Sequence, residues 1–425
     1  MKMLKTITLM LAIAVATGAQ ESVQGHDMSA MQHDHAGMKM DMSARGGEFA
    51  SGTSWLPLSS PQYMWMTAYN GWNFMFHGEL ILGYDQQGGP RGVGKAFSTN
   101  WLMMMQQHKV GKGTIEFREM LSGEPLTIPR PGMPTLFQTG ESYKGEPLVD
   151  YQHPHDVFDE LSFRYSYPLS ERASWYFYGA AVGEPALGPV AFMHRPSAME
   201  NPAPPLGHHL QDSTHVAFGV VTTGFTVGPV KLEGSAYNGR EPDEVRYNFD
   251  FGPLDSFSGR ITVAPTRNWA VQYSYGHLVQ PEELEPGNLN RQTASITYNR
   301  PFSRGYWANS LIWGRNHKQH DDAVGNSYMY ESTLNFLNKN YAFTRLELVD
   351  KDELDLGPAL DHQSFRIGSY TFGGMRDLVQ NNVGQMGFGA SVTFYSKPVA
   401  LDPVYGNNPV SFIVFLRLRP GRMNH

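Results

Sequence analysis

The sequence predicts an all-β protein, a transmembrane antiparallel β-barrel of about sixteen strands behind a disordered N-terminal tail. Three observations carry this. The chain opens on an export-type segment, apolar and polar residues then alternate through many stretches of about ten residues, and short turns take turns with long loops. Alternation at period two puts every other side chain on the same face of a strand. Repeated over about ten residues with aromatic strand ends, it is the pattern of strands that cross a membrane as a closed barrel.

In "MKMLKTITLMLAIAVATGAQES", Lys2 and Lys5 precede an apolar run from Ile7 to Ala16, and small residues follow at Thr17, Gly18 and Ala19. That is a secretory signal peptide, assigned to residues 1–19. The run falls short of the ~20 residues a spanning helix needs. Residues 20–60 lack periodicity and are rich in His, Met, Asp, Ser and Gly, so they are read as a disordered periplasmic tail. The barrel is assigned to residues 61–425.

"GWNFMFHGELILGYD" shows the barrel pattern first: Trp72, Phe74, Phe76, Leu80, Leu82 and Tyr84 alternate with Asn73, Met75, His77, Glu79 and Asp85. Strands are predicted near 71–85, 94–107, 112–121, 158–167, 173–182, 213–224, 229–238 and 256–264. The second half continues with 268–279, 291–299, 306–316, 326–337, 341–350, 362–373, 383–395 and 410–419; fourteen is the nearest alternative count. Turns such as "PLSERA", "APTRN" and "LNKN" alternate with long loops at 122–157, 183–212, 238–255, 279–290, 350–361 and 396–409. Short periplasmic turns and long extracellular loops put both termini in the periplasm. A soluble sandwich also has many short strands. The export signal, aromatic strand ends and loop asymmetry favour the barrel.

One face of the strands collects the charges: Glu79, Glu116, Arg118, Glu160, Arg164, Lys231, Glu233, Arg260, Glu331, Arg345, Glu347, Arg366, Arg417 and Arg419. It is read as a charged lumen. Sixteen strands leave room for an aqueous channel, which an inward-folded 122–157 loop would close. Met103, Met104 and Met105 are read as lipid-facing packing, and His77 and His108 as lumen or turn residues.

The formal charge of −7 and the lack of any basic block argue against nucleic acid as a partner. There is no Cys, so a metal must be held by His, Met or carboxylate. The tail offers that set in "HDMSAMQHDHAGMKMDM": His26, Met28, Met31, His33, His35, Met38, Met40 and Met42, with Asp27, Asp34 and Asp41 between them. Thioether favours Cu(I) and imidazole also suits Cu(II), Zn or Ni, so a copper ion is the expected ligand, bound at several flexible sites. The competing reading is a spacer of accidental composition.

Signal, Met/His-rich tail and following barrel together resemble the copper-resistance outer-membrane protein B family, in which such a tail precedes an outer-membrane barrel. The resemblance rests on architecture and residues 26–42. The barrel region, with "QHPHDVFDEL", "AFMHRPSAMENP", "LGHHLQDSTH" and "NGREPDE", looks similar instead to uncharacterised exported barrels.

Further histidines gather in the long loops: His153, His155, His194, His208, His209 and His215, with Asp156 and Asp212 nearby. These are the ligand types of a Zn or Cu site. If they share an ion, their donors must lie within ~4 Å of one another, each about 2 Å from the metal. The alternative is a network tying loops to the barrel wall. "DSTH" supplies Asp212, Ser213 and His215 but no G-x-S-x-G elbow, and "GPRGVGKAF" lacks the P-loop order, so neither a hydrolase nor a nucleotide site is expected.

The expected function is therefore transition-metal handling by an outer-membrane barrel, the periplasmic tail capturing metal. The partners expected are outer-membrane lipid, metal ions and a periplasmic metal carrier or efflux component. The alternative is a porin-like or structural barrel with no metal role.

Overall fold

The computed structural model describes residues 46, 47, 49–357, 360 and 363–423. Seventeen strands form the barrel. They are β1 Met64–Tyr69, β2 Trp72–Gln86, β3 Gly94–Val110, β4 Gly113–Ser122, β5 Phe158–Ser170, β6 Ala173–Gly183, β7 Ala217–Val227, β8 Val230–Tyr237 and β9 Ser256–Val263. The circuit continues with β10 Trp269–Leu278, β11 Leu289–Phe302, β12 Gly305–Lys318, β13 Val324–Phe336, β14 Asn340–Lys351, β15 Phe365–Gln380, β16 Gly384–Ser396 and β17 Val410–Pro420.

All pairings are antiparallel, and β17 closes on β2. There β17 covers Leu80–Gln86 of β2, while β1 covers Trp72–His77 of the same edge. A bridge from Tyr63 to Arg422 joins the two pieces. The first and last strands thus share one position, so seventeen strands make a barrel of sixteen. The sequence prediction has no β1. Its turn is nevertheless clear: Asn70 (φ 49°) and Gly71 (φ 79°) both adopt positive φ, the requirement of a tight type I′ hairpin.

The alternation sorts the faces as expected. In β9, Ser256, Ser258, Arg260 and Thr262 point into the bore, while Phe257, Gly259 and Ile261 are exposed outside. Around the outer wall Leu82, Phe225, Ile261, Leu311, Phe372 and Phe388 are exposed, and Trp65, Tyr69, Trp269, Phe302, Trp307 and Phe336 stand near the turn end. Arg366 departs from the charged-face prediction. It is exposed at the loop end and forks onto Asp350 at 2.8 and 2.9 Å. Met103 and Met105 depart from the lipid-facing reading: they are buried and face the bore with His77, because the parity of β3 is set by its pairing of His77 with Met103.

The bore is packed. Segment 184–216, the connection between β6 and β7, folds into it, and residues 49–62 enter it as well. The tail boundary expected at residue 60 therefore moves: Ala50, Ser51, Thr53, Ser54 and Trp55 are buried against the wall. Arg118 fixes them, donating to the carbonyls of Ala50 and Gly52 at 2.7 and 2.6 Å. Segment 213–216, predicted as the start of a strand, belongs to the insert, with a 3₁₀ turn at Ser213–His215, and β7 begins at Ala217. Loop 123–157 does fold inward, with Leu136 and Phe137 packed on Leu206, Leu210, Leu401 and Tyr405, but the bore itself is filled by 184–216.

Charge complementarity explains that packing. Arg195 of the insert forks onto Glu331 of β13 at 2.9 and 3.2 Å and also reaches Asp212 at 2.7 Å. Arg345 approaches the same Glu331 at 2.8 Å. Glu200 meets Arg417 and, at 3.0 Å, Arg419, while Glu184 faces Arg260 at 3.4 Å. Buried charges left unpaired cost several kcal/mol each, so these pairs fix where the insert lies.

Candidate functional site

The tail residues His26, Met28, Met31, His33, His35, Met38, Met40 and Met42 lie outside the described residues. The loop histidines lie within them, and four stand ring beside ring in a row. Ring centroids of His155 and His215 are 5.2 Å apart, those of His215 and His208 5.2 Å, and those of His208 and His209 5.3 Å. His208 and His209 form one short helical turn of the insert, His215 the next, and His155 reaches them from loop 123–157.

Their outer nitrogens are held by acceptors. His155 Nδ1 donates to Glu124 at 2.8 Å, His208 Nδ1 to Asp212 at 2.7 Å, and His215 Nδ1 to the Asp212 carbonyl at 2.7 Å. Such acceptors orient the imidazoles of metal sites and fix which nitrogen is free. With both Nδ1 atoms donating, His155 Nε2 and His215 Nε2 face each other at 3.0 Å. Two bare lone pairs repel at that distance, so a proton or a cation must sit between them.

The local field supplies the proton. Burial alone would lower His155, but Glu124, with Asp159 and Asp156, outweighs it and pushes it up to about 9. Burial, and then the charge on His155, push His215 down to about 3. Burial would raise Asp212, yet Arg195 and His208 beside it hold it well below the usual carboxylate range. Among the described residues no group of three or more His, Asp or Glu side chains is arranged to hold an ion at once. The His155–His215 pair offers two ligands.

His153 and His209 meet at a different point. Both contact Glu141, His209 Nε2 at 3.1 Å, and His209 Nδ1 lies 3.4 Å from Glu241. His209 lines a cavity of about 40 Å³, and His153 lines a vestibule of about 770 Å³ at the loop end. Eight carboxylates line it against Arg240 and Arg246, Glu282, Glu283 and Glu285 among them. Burial, and then the charges of Glu353 and Glu241, push Glu282 up to about 8, the mark of a carboxylate crowded by others. His194 stands apart from the cluster, 4.6 Å from the Trp101 ring and 6.1 Å from His77. Ser213 accepts from Arg291 at 2.8 Å, and His215 Nδ1 is taken by the Asp212 carbonyl, so the "DSTH" residues do not form a nucleophile–base pair.

Sequence reasoning missed Glu124, Glu141 and Glu241, whose neighbours in the chain carry no metal-ligand spacing. It also missed His77 and Met103 as partners, although their shared parity with Glu79 on adjacent strands was there to be read.

The class this geometry defines is the sixteen-stranded, porin-type β-barrel, here with an occupied bore. One solved structure bears that out at the level of fold. The chain is similar to an anion-selective porin from Comamonas acidovorans, with 9% identity over 82% of this chain and 99% of that one and a TM-score of 0.51. It is also similar to Salmonella typhi OmpF in complex with daunomycin (9% identity, 83% and 100% covered, TM-score 0.49) and to the outer-membrane channel DcaP of Acinetobacter baumannii (10%, 83% and 99%, 0.49). No protein-family model matches the chain, and no curated protein matches it.

Proposed function

We propose that this is an outer-membrane barrel that handles copper or a related transition-metal ion, with the histidine cluster at the top of its filled bore as the point where the ion is held. The observation that carries the reading is the pair of Nε2 atoms of His155 and His215, 3.0 Å apart with both Nδ1 atoms committed to acceptors. A metal replacing the shared proton would take those lone pairs, and the carboxylate-rich vestibule above would concentrate cations at the entrance. The exposed apolar wall and aromatic turn end suit a lipid setting. The tail at 26–42 would serve as the periplasmic partner of the cluster, passing metal to or from a periplasmic carrier or efflux component.

A general diffusion porin has the fold in its favour. Against it stands the bore, where Arg195, Glu331, Arg345, Glu200 and Arg417 are all buried in side-chain contacts. The test is a Zn²⁺ or Cu²⁺ titration of the detergent-purified protein beside its His155→Ala and His215→Ala variants. Equal stoichiometry and affinity in all three would remove the cluster from the mechanism.

A further inference from the structure

Below the cluster lies a second set of donors. His77 on β2 and Met103 on β3 are cross-strand partners, and His77 Nε2 stands 3.0 Å from Met103 Sδ. The insert brings His194 against them, buried, with its Nε2 lacking any hydrogen-bond partner. Trp101 packs edge-on to both imidazoles, its ring 5.3 Å from His77 and 4.6 Å from His194. An unsatisfied buried nitrogen costs about 1–3 kcal/mol, so a structure that keeps one on a ring 6.1 Å from an imidazole already paired with a thioether has a use for it.

We propose that His77, Met103 and His194, capped by the indole of Trp101, form a site for a soft monovalent metal cation of the copper(I) or silver(I) class. Thioether is the ligand that selects Cu(I), and imidazole suits copper as well. The charge balance favours a single charge. The Arg118 guanidinium is buried on the neighbouring strand, opposite Met105, and the carboxylates that line the cavity beside Trp101 are engaged, Glu124 by His155 and Glu79 by Arg419. A cavity of about 60 Å³ beside Trp101 is lined by Met133, Met193 and Met199 and also touches His153 and His155. The inference rests on the metal-handling reading and gives it a second, softer step.

The test uses the full chain in detergent with Ag⁺ as a redox-inert probe. The readout is the part of the tryptophan fluorescence that Trp101→Phe removes, which ions held away from Trp101 do not report. Ag⁺ should quench that component, and Zn²⁺ at the same concentration should not. Met103→Leu and His77→Gln should each raise the half-quenching concentration by about tenfold or more, the loss that even outer partners of a metal ligand produce. Leu conserves volume, so the barrel should stay folded; His77→Gln gives a second reading should it not. An unchanged Ag⁺ response in both variants, or quenching that Trp101→Phe leaves intact, overturns the proposal. Loss of Zn²⁺ binding at His155 and His215 as a site, with the Trp101 response intact, counts against the cluster alone and leaves this site standing.

Discussion

Replacing Arg195 by Met should loosen the insert from the bore while leaving the barrel assembled. Arg195 is fully buried and holds three acceptors: Glu331, Asp212 and the carbonyl of Val190 at 2.7 Å. Removing one partner of a buried ion pair costs about 3–5 kcal/mol, because the charge left behind stays buried. Here each carboxylate keeps one partner, Glu331 its Arg345 at 2.8 Å and Asp212 its His208 at 2.7 Å. The low end, about 3 kcal/mol, is therefore expected, a roughly 100-fold rise in the population of the released insert at 1.4 kcal/mol per factor of ten. Two assays report it: limited proteolysis of 184–216 in detergent, which tracks the open population when reclosing is fast, and single-channel conductance in planar bilayers. Arg345→Met, which leaves Arg195 on Glu331, should give a smaller effect. Unchanged cleavage and conductance in an Arg195→Met barrel that runs as a normal heat-modifiable band would refute the view that these ion pairs hold the insert.

Metal binding at the cluster should strengthen with pH, since His155 is raised to about 9 and is protonated at neutrality: one proton must leave, so affinity should rise about tenfold per unit between pH 6 and 8. A pH-independent Zn²⁺ titration would remove His155 from the ligand set. His155→Ala and His215→Ala should not add, because either loss already breaks a site of few ligands; additive losses measured by titration would mean separate sites. Deleting residues 26–42 should leave the barrel inserted, as every described strand lies beyond Arg45, while lowering the copper bound per chain by elemental analysis. Full retention would make the tail a spacer. Recovery of the protein from cells in soluble form without detergent would contradict the membrane setting.

The strand pattern was legible because it is local. A strand such as β9, with Ser256, Ser258, Arg260 and Thr262 on one side and Phe257 and Ile261 on the other, declares its two faces through the period of the backbone alone. The same parity names the wall charges, apart from Arg366, which stands at the loop end of β15 where Asp350 of the paired strand is a nearer partner than anything in the bore. The meaning of "inside" was not local. Nothing in 49–62 or 184–216 repeats at a strand period, so these segments look like tail and loop. They become the filling of the bore only because Ala50, Arg195 and Glu200 find Arg118, Glu331 and Arg417 on strands far away in sequence. The candidate site divides along the same line. Its histidines can be counted in the sequence, but which of them meet was decided by the insert, which carries His208 and His215 to His155 and takes His194 down to His77, Met103 and Trp101. Periodicity fixes which way a side chain points; only the closed barrel, with its ion pairs to satisfy, decides what it points at.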